Sequence, residues 1–332
     1  MVNFNHDRLR VEMNREPNYQ GSGRTQSSGS GRSTRALVAE VLRRATARLV
    51  RAGVESPRLD AEWLLMAALG WGKEAVYRNL RCQLEDEQRS VFDGLVSRRC
   101  MGEPAAYIVG KREFWSLEFK VNGDVLVPRP ETEHLVETGL EFLDSWTGPR
   151  RILEIGTGSG AVAVSLAHER RDIEVWATDI SARALDVARH NARQHGMAEL
   201  IHFCEGDLFG ALDAMKGPFA AIFSNPPYVA SADLADLPRE VRDWEPLPAL
   251  DGGPDALDLY RRIISGGAHH LYPGGLLALE IGSGMAEDVC ELFRIRNGFN
   301  QPVVGHDYAG HERLVCASLE DMPKSEKVTD FG

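Results

Sequence analysis

Apolar residues recur every three to four positions from Leu37 through Val38, Val41, Leu42 and Ala45 to Leu49, with arginines between them. That period predicts an amphipathic helix. Ser56 followed by Pro57 gives the N-cap and first-turn signal of a second helix, which carries Leu59, Trp63, Leu64 and Met66 and stops at Gly70 and Gly72. A third pattern runs from Asp86 through Val91, Phe92, Leu95 and Val96. Acidic residues open it and Arg98 and Arg99 close it, as the helix dipole favours. Together these segments predict a small helical bundle over 34–110. Its arginines (Arg43, Arg44, Arg48, Arg51, Arg98 and Arg99) read as a solvated face.

The period changes at Glu113. Phe114, Trp115, Leu117, Phe119 and Val121, followed by Val125, Leu126 and Val127, predict a hairpin linker over 111–130 with Asn122-Gly123 as its turn. Pro128 and Pro130 interrupt it, and a Glu-rich helix starts near Glu131. Beyond that, strand and helix alternate. Strands are expected at 151–156, 174–178, 200–204, 220–224, 276–281 and 314–318, with another near 301–304. Helices are expected over 159–170, 182–195, 255–268 and 285–296. This is the pattern of a mainly parallel sheet covered on both faces, so the fold class is α/β and Rossmann-like, with the sheet domain over 131–319. Residues 1–33, which include GSGRTQSSGSGRS, have almost nothing to bury and read as a disordered leader; 320–332 read as a flexible tail.

Composition narrows the function classes. No apolar run approaches the ~20 residues that span a bilayer, so no membrane partner is expected. The N-terminus lacks the apolar core of a secretory signal, which points to the cytoplasm. Five cysteines without CxxC spacing argue against a structural zinc site or a disulfide framework. A net charge of −11 weighs against non-specific nucleic-acid binding, and no direct nucleic-acid partner is expected.

Candidate chemistry begins at Ile152-Leu153-Glu154-Ile155-Gly156-Thr157-Gly158-Ser159-Gly160, a buried strand running into a glycine-rich turn that opens a helix. Asp179 ends the next strand, at the distance where an acidic residue grips ribose hydroxyls. The spacing is G-x-G-x-G, not the dinucleotide G-x-G-x-x-G. S-adenosylmethionine has no phosphate and carries a cationic sulfonium, and Glu154 suits its ammonium end. After the third strand, Asp207 can accept from an adenine amino group or cap a helix, while Leu208 and Phe209 offer apolar contact to the ring.

A second segment, Asn225-Pro226-Pro227-Tyr228, follows the strand at 220–224, which should lie beside the glycine-loop strand. Ligands of open α/β sheets bind beyond the carboxyl ends of strands, so both segments face one crevice. Two prolines make a rigid loop without amide donors of its own. Tyr228 supplies a flat face for a planar group. The Asn225 side-chain oxygen and the Pro226 carbonyl, accepting the two hydrogens of an amide NH2, would aim its lone pair at a sulfonium methyl. They would also stabilise the charge that develops on nitrogen. No metal and no covalent nucleophile is needed.

These motifs, with Glu103-Pro104-Ala105-Ala106-Tyr107-Ile108-x-Gly110, Val127-Pro128-Arg129-Pro130-Glu131-Thr132-Glu133, Glu245-Pro246, Ala249-Leu250 and Tyr260-Arg261, resemble the bacterial glutamine-N5 methyltransferases of peptide-chain release factors, the HemK/PrmC family. The resemblance covers about 34–319. It implies a class I S-adenosylmethionine-dependent methyltransferase with a seven-stranded sheet, preceded by a helical domain that docks the release factor. The implied substrate is the glutamine of the Gly-Gly-Gln loop of class I release factors, and the implied second product is S-adenosylhomocysteine. Carried over by position, Gly156, Thr157, Gly158, Ser159, Gly160, Asp179, Leu208 and Asn225 contact the cofactor. Asn225, Pro226, Pro227 and Tyr228 hold the glutamine amide, with Asn225, Pro226 and Tyr228 as the catalytic set. Two rivals share the chemistry: glutamine methylation of a ribosomal protein, and methylation of adenine N6 or guanine N2 in nucleic acid. The wording of 128–133 favours the release-factor enzyme over the first, and the acidic charge weighs against the second.

Overall fold

The structure, a computed structural model, describes residues 36–320 apart from 213–216 and 308. The leader expected over 1–33 lies outside the described residues, as does all but Glu320 of the tail. Five helices come first: α1 Val38–Arg51, α2 Pro57–Leu69, α3 Lys73–Arg78, α4 Asp86–Cys100 and α5 Ala105–Val109. The apolar stripe of α1 (Val38, Val41, Leu42, Ala45, Leu49) is buried against Leu64 and Leu65 of α2 and Phe92 and Val96 of α4. Ser56 occupies the N-cap of α2 but makes no side-chain capping bond, so Pro57 at the first turn carries that start.

Arg99 departs from the solvated face expected of the bundle's arginines. It is buried, donates Nε to Asp60 (2.6 Å) and Nη1 to the Glu103 carbonyl (3.2 Å), and pairs through Nη2 with Glu240. A buried guanidinium needs such partners, and Glu240 comes from the segment that follows the Asn225 loop. The helical region is thereby tied to one side of the candidate site.

The hairpin consists of β1 Lys111–Phe114 and β2 Leu117–Lys120, paired antiparallel. Its turn is Trp115-Ser116, not Asn122-Gly123. Both turn residues take positive φ (51° and 58°), as a two-residue hairpin loop demands. Tertiary bonds decide the matter: the Trp115 amide donates to Glu133 (2.7 Å) and its indole to Glu169 (2.9 Å). Asn122 forms a local turn instead, its side chain accepting from the Asp124 amide (3.1 Å). No strand forms over 125–127.

The remaining elements are α6 Glu133–Ser145, β3 Arg151–Ile155, α7 Ala161–Glu169, β4 Glu174–Asp179, α8 Ala182–Gln194, β5 Ile201–Glu205, β6 Phe219–Ser224, α9 Arg239–Arg242, α10 Asp258–His270, β7 Leu271–Glu280, α11 Ala286–Arg296, β8 Val303–His306 and β9 Glu312–Ser318. Seven strands form one sheet in the order β5-β4-β3-β6-β7-β9-β8. It is parallel from β5 to β7, with β9 and β8 antiparallel at the far edge. Every residue of β6 is buried, which explains why Phe219-Ala220-Ala221-Ile222-Phe223 does not alternate: both faces are covered. One face packs Phe223, Ile152 and Val175 under α6 and α7; the other packs Ile222, Leu153 and Leu277 under α10 and α11. The seven-stranded α/β expectation is borne out.

Candidate active site

Strand order reverses between β3 and β6, the switch point at which open α/β sheets bind ligands. Ile155 lies opposite Ser224 in the register, so the glycine loop and Asn225 leave the sheet side by side. The Ser224 hydroxyl donates to the Ile155 carbonyl (2.8 Å) and locks the two strand ends together. Over these ends opens a cavity of about 560 Å³, within the ~300–1,000 Å³ of ligand pockets. Gly156, Thr157, Gly158, Ser159, Asp179, Leu208, Asn225, Pro226 and Pro227 line it.

Three residues nominated from the sequence, Gly160, Phe209 and Tyr228, stand outside that lining. Gly160 (φ 80°) begins α7, and a Cβ there would come within 3.1 Å of the Ala188 Cβ, so it serves the close approach of α7 to α8. Tyr228 packs its ring beside Gly282 and Met285, and burial pushes its hydroxyl pKa up to about 12.

The electrostatics of the glycine-loop half discriminate between ligands. Glu154 is buried, and its Oε2 accepts from the Thr157 hydroxyl (2.5 Å) and the Ala163 amide (3.0 Å). Burial pushes its pKa up to about 8, against the lowering effect of those donors. Asp179 accepts from the amides of Gly158 (2.9 Å) and Ser181 (2.9 Å); burial raises its pKa as well. The Gly158 amide of the loop and the Ala163 amide of the first turn, which could meet a diphosphate, are thus taken by the protein's own carboxylates. A cationic ligand relieves the crowding of two buried acids, whereas an anionic one would add to it.

Asp207 pairs its carboxylate with Arg262 (2.6 Å) rather than capping a helix. Leu208 takes a positive φ (51°), and the neighbouring Phe209 stacks on His270.

The other half of the cavity is built around Asn225. Its Nδ2 donates to the Thr132 hydroxyl (3.2 Å), which leaves Oδ1 with no protein donor among the described residues. The loop beyond it is pinned by a short bridge in which the Val229 amide donates to Leu250 (3.0 Å) and the Gly252 amide to Val229 (2.8 Å). Arg129 donates to the buried Glu245 (2.6 Å), joining the Pro128–Glu133 motif to the Glu245-Pro246 motif across one wall. Sequence reasoning recognised these motifs but gave Arg129 and Thr132 no chemical role.

It also passed over Asn191. This fully buried side chain accepts from the Lys120 amide (2.8 Å) and donates to the carbonyls of Lys120 (3.1 Å) and Ser159 (2.8 Å). It therefore clamps the hairpin to the glycine loop. Asn191→Ala strands a buried amide and two carbonyls, and should cost about 2 kcal/mol of stability, measured by urea unfolding. A change below about 0.5 kcal/mol would mean that the clamp is idle.

Residues 40–110 match the family model described as "PrmC N-terminal domain", and residues 136–237 match "Methyltransferase small domain". A protein of Moorella thermoacetica named "Release factor glutamine methyltransferase" is 45% identical over 84% of this chain and 97% of its own. One of the same name from Nitratidesulfovibrio vulgaris is 42% identical over 86% of this chain and 96% of its own. Among solved structures, the hMettl16 catalytic domain in complex with the MAT2A 3'UTR hairpin 6 superposes with a TM-score of 0.50. At 16% identity over 63% of this chain and 77% of that one, the likeness concerns the fold alone.

Proposed function

Because this chain belongs to the release factor glutamine methyltransferases, we infer that it methylates the side-chain amide nitrogen, N5, of a release-factor glutamine, with S-adenosylmethionine as donor. The glutamine is that of the Gly-Gly-Gln loop, and the reaction belongs to the cytoplasm. The observation that supports this reading is that Asn225 lines the cavity with its Nδ2 on the Thr132 hydroxyl (3.2 Å), which leaves Oδ1 available as an acceptor.

S-adenosylmethionine supplies a methyl group on cationic sulfur. Its fit rests on Glu154 and Asp179, buried acids that suit a cation, and on apolar contact from Leu208. Gly156, Thr157, Gly158 and Ser159 would hold it; Gly160 acts at one remove, through helix packing.

An amide nitrogen is a weak nucleophile because its lone pair is delocalised into the carbonyl. Asn225 Oδ1 and the Pro226 carbonyl accept its two hydrogens, fix its orientation and favour the positive charge that builds as it attacks. Nitrogen then gives up one hydrogen as a proton to water, and the product is a neutral N-methyl amide. Tyr228, packed outside the lining beside Gly282, backs this loop. The helical region over 34–110 is the proposed docking surface for the body of the release factor.

The test uses the purified chain, tritiated S-adenosylmethionine and full-length class I release factor. Label should appear on the Gly-Gly-Gln protein and be absent from a Gly-Gly-Ala variant. Preferential labelling of a ribosomal protein, or of duplex DNA, would replace this reading with one of the two rivals.

A further inference from the structure

We propose that Arg99 and Glu240 are a positioning pair through which the helical region holds the segment 231–249 in place as a wall of the glutamine site. The inference rests on the reading that this cavity receives a release-factor glutamine.

The segment begins just after the Asn225 loop and ends at Leu250, whose carbonyl accepts from the Val229 amide (3.0 Å). Pro246, Pro248 and Ala249, near its end, line the cavity. Its regular structure is slight: single turns at Leu234–Asp236 and Leu247–Ala249, and the four residues of α9. Within 231–249 Glu245 alone is buried, so the segment has no apolar core of its own. A stretch that buries so little apolar surface takes its position from the bonds that fasten it to its neighbours.

Two of those bonds are ion pairs. Arg129, in the cavity lining, donates to Glu245 (2.6 Å). The second reaches the helical region, where Glu240 of α9 accepts from Nη2 of Arg99 in the last turn of α4. Beside it the Arg239 side chain lies over Gly102, where a Cβ would come within 3.2 Å of the Arg239 Cδ. The position of α9 is passed on to the wall, because the Glu245 amide donates to the Val241 carbonyl (3.0 Å) and Pro246 follows directly.

Arg99 suits the fixed end of this pair. It is 5% exposed, with Nε on Asp60 (2.6 Å) and Nη1 on the Glu103 carbonyl (3.2 Å), so its guanidinium plane is set before Glu240 meets it. A planar, permanently charged fork can serve acceptors in separate directions, which a lysine ammonium does less rigidly. Glu240 is the end that can be altered cleanly. Without it the buried Arg99 still has the Asp60 carboxylate, so no unpaired charge is left in the helical region.

With the pair cut, the wall should sample positions that do not fit the substrate. If the fitting one is occupied about a tenth of the time, apparent affinity for the release factor falls about tenfold. The complex that does form has its wall in place, so its chemistry is unchanged.

Glu240→Ala should therefore raise the KM for full-length Gly-Gly-Gln release factor about tenfold at saturating S-adenosylmethionine, with kcat within about twofold of native. Glu240→Gln keeps an oxygen for Nη2 but loses the charge assistance, and should fall between, at about threefold in KM. A merely structural role gives the opposite split: fewer active molecules lower the apparent kcat and leave KM alone. Hydrogen exchange read by mass spectrometry should quicken over 231–249 in Glu240→Ala, while α2 and α4 exchange as in the native chain. A native KM in Glu240→Ala, or unchanged exchange over 231–249, overturns the proposal. If Glu240→Ala does not fold, as judged by its melting curve, Glu240→Gln decides, and a native KM there is fatal. Failure of the underlying reading looks different, because the native chain would then not label the Gly-Gly-Gln protein at all. Labelling by the native chain beside a native KM in Glu240→Ala removes only the positioning pair.

Discussion

Asn225→Ala is expected to lower kcat by about two to three orders of magnitude, the loss seen when one fixed dipole that stabilises transition-state charge is removed. The side chain does two things that alanine cannot. In the proposed mechanism its Oδ1 accepts a hydrogen from the attacking nitrogen, and that bond strengthens as nitrogen becomes positive. It also fixes the plane of the amide, so that the lone pair and the methyl are in line. Neither effect depends much on the ground-state complex, so the KM for the release factor should move less than kcat. The folded state should tolerate the change, because Asn225 is only half-buried and the side-chain bond lost among the described residues is the one to Thr132. Single-turnover transfer of tritium to a Gly-Gly-Gln release factor measures the effect directly. Turnover within tenfold of native would mean that nitrogen is activated by something other than this acceptor.

How much of this site could be read from the sequence depends on the kind of signal each residue gives. Asn225 and the glycine loop were legible as candidates because their signal is local: a strand, then a turn whose residue types suit a ligand. Their adjacency followed from the rule about strand order, and the opposition of Ile155 and Ser224 bears it out. Thr132 sits 93 residues from Asn225, and nothing at that distance marks the two as partners. Arg99 was misread because a helix-terminal arginine is usually solvated; here Asp60 and Glu240 converge on it from two other elements. The hairpin turn failed similarly. Asn122-Gly123 has the better intrinsic turn propensity, but Glu133 and Glu169 bond to Trp115 and move the turn upstream.

Gly158→Leu should weaken S-adenosylmethionine binding by at least about 100-fold while the free protein melts within a few degrees of native. Two glycines of one loop make the argument by contrast. Gly158 and Gly160 both have positive φ (53° and 80°), so both would strain with a side chain. A Cβ on Gly160 meets Ala188 at 3.1 Å, so a substitution there acts first on packing and on stability. A Cβ on Gly158 meets no protein atom within 4 Å and lies in the lining of the cavity. A leucine there has room in the free protein and takes it from the ligand. The left-handed backbone adds ~1–2 kcal/mol that the free loop can shed by relaxing, and the bound loop cannot if its amide is to stay on Asp179 (2.9 Å). Displacing the leucine adds ~1–3 kcal/mol of overpacking. Even the lower halves of these ranges together approach the ~2.7 kcal/mol that corresponds to 100-fold. Titration calorimetry of Gly158→Leu and of Gly160→Leu, beside their melting curves, reads the two consequences separately. If Gly158→Leu bound S-adenosylmethionine as the native chain does, the donor would have to sit elsewhere, and Asn225 would no longer face its methyl group.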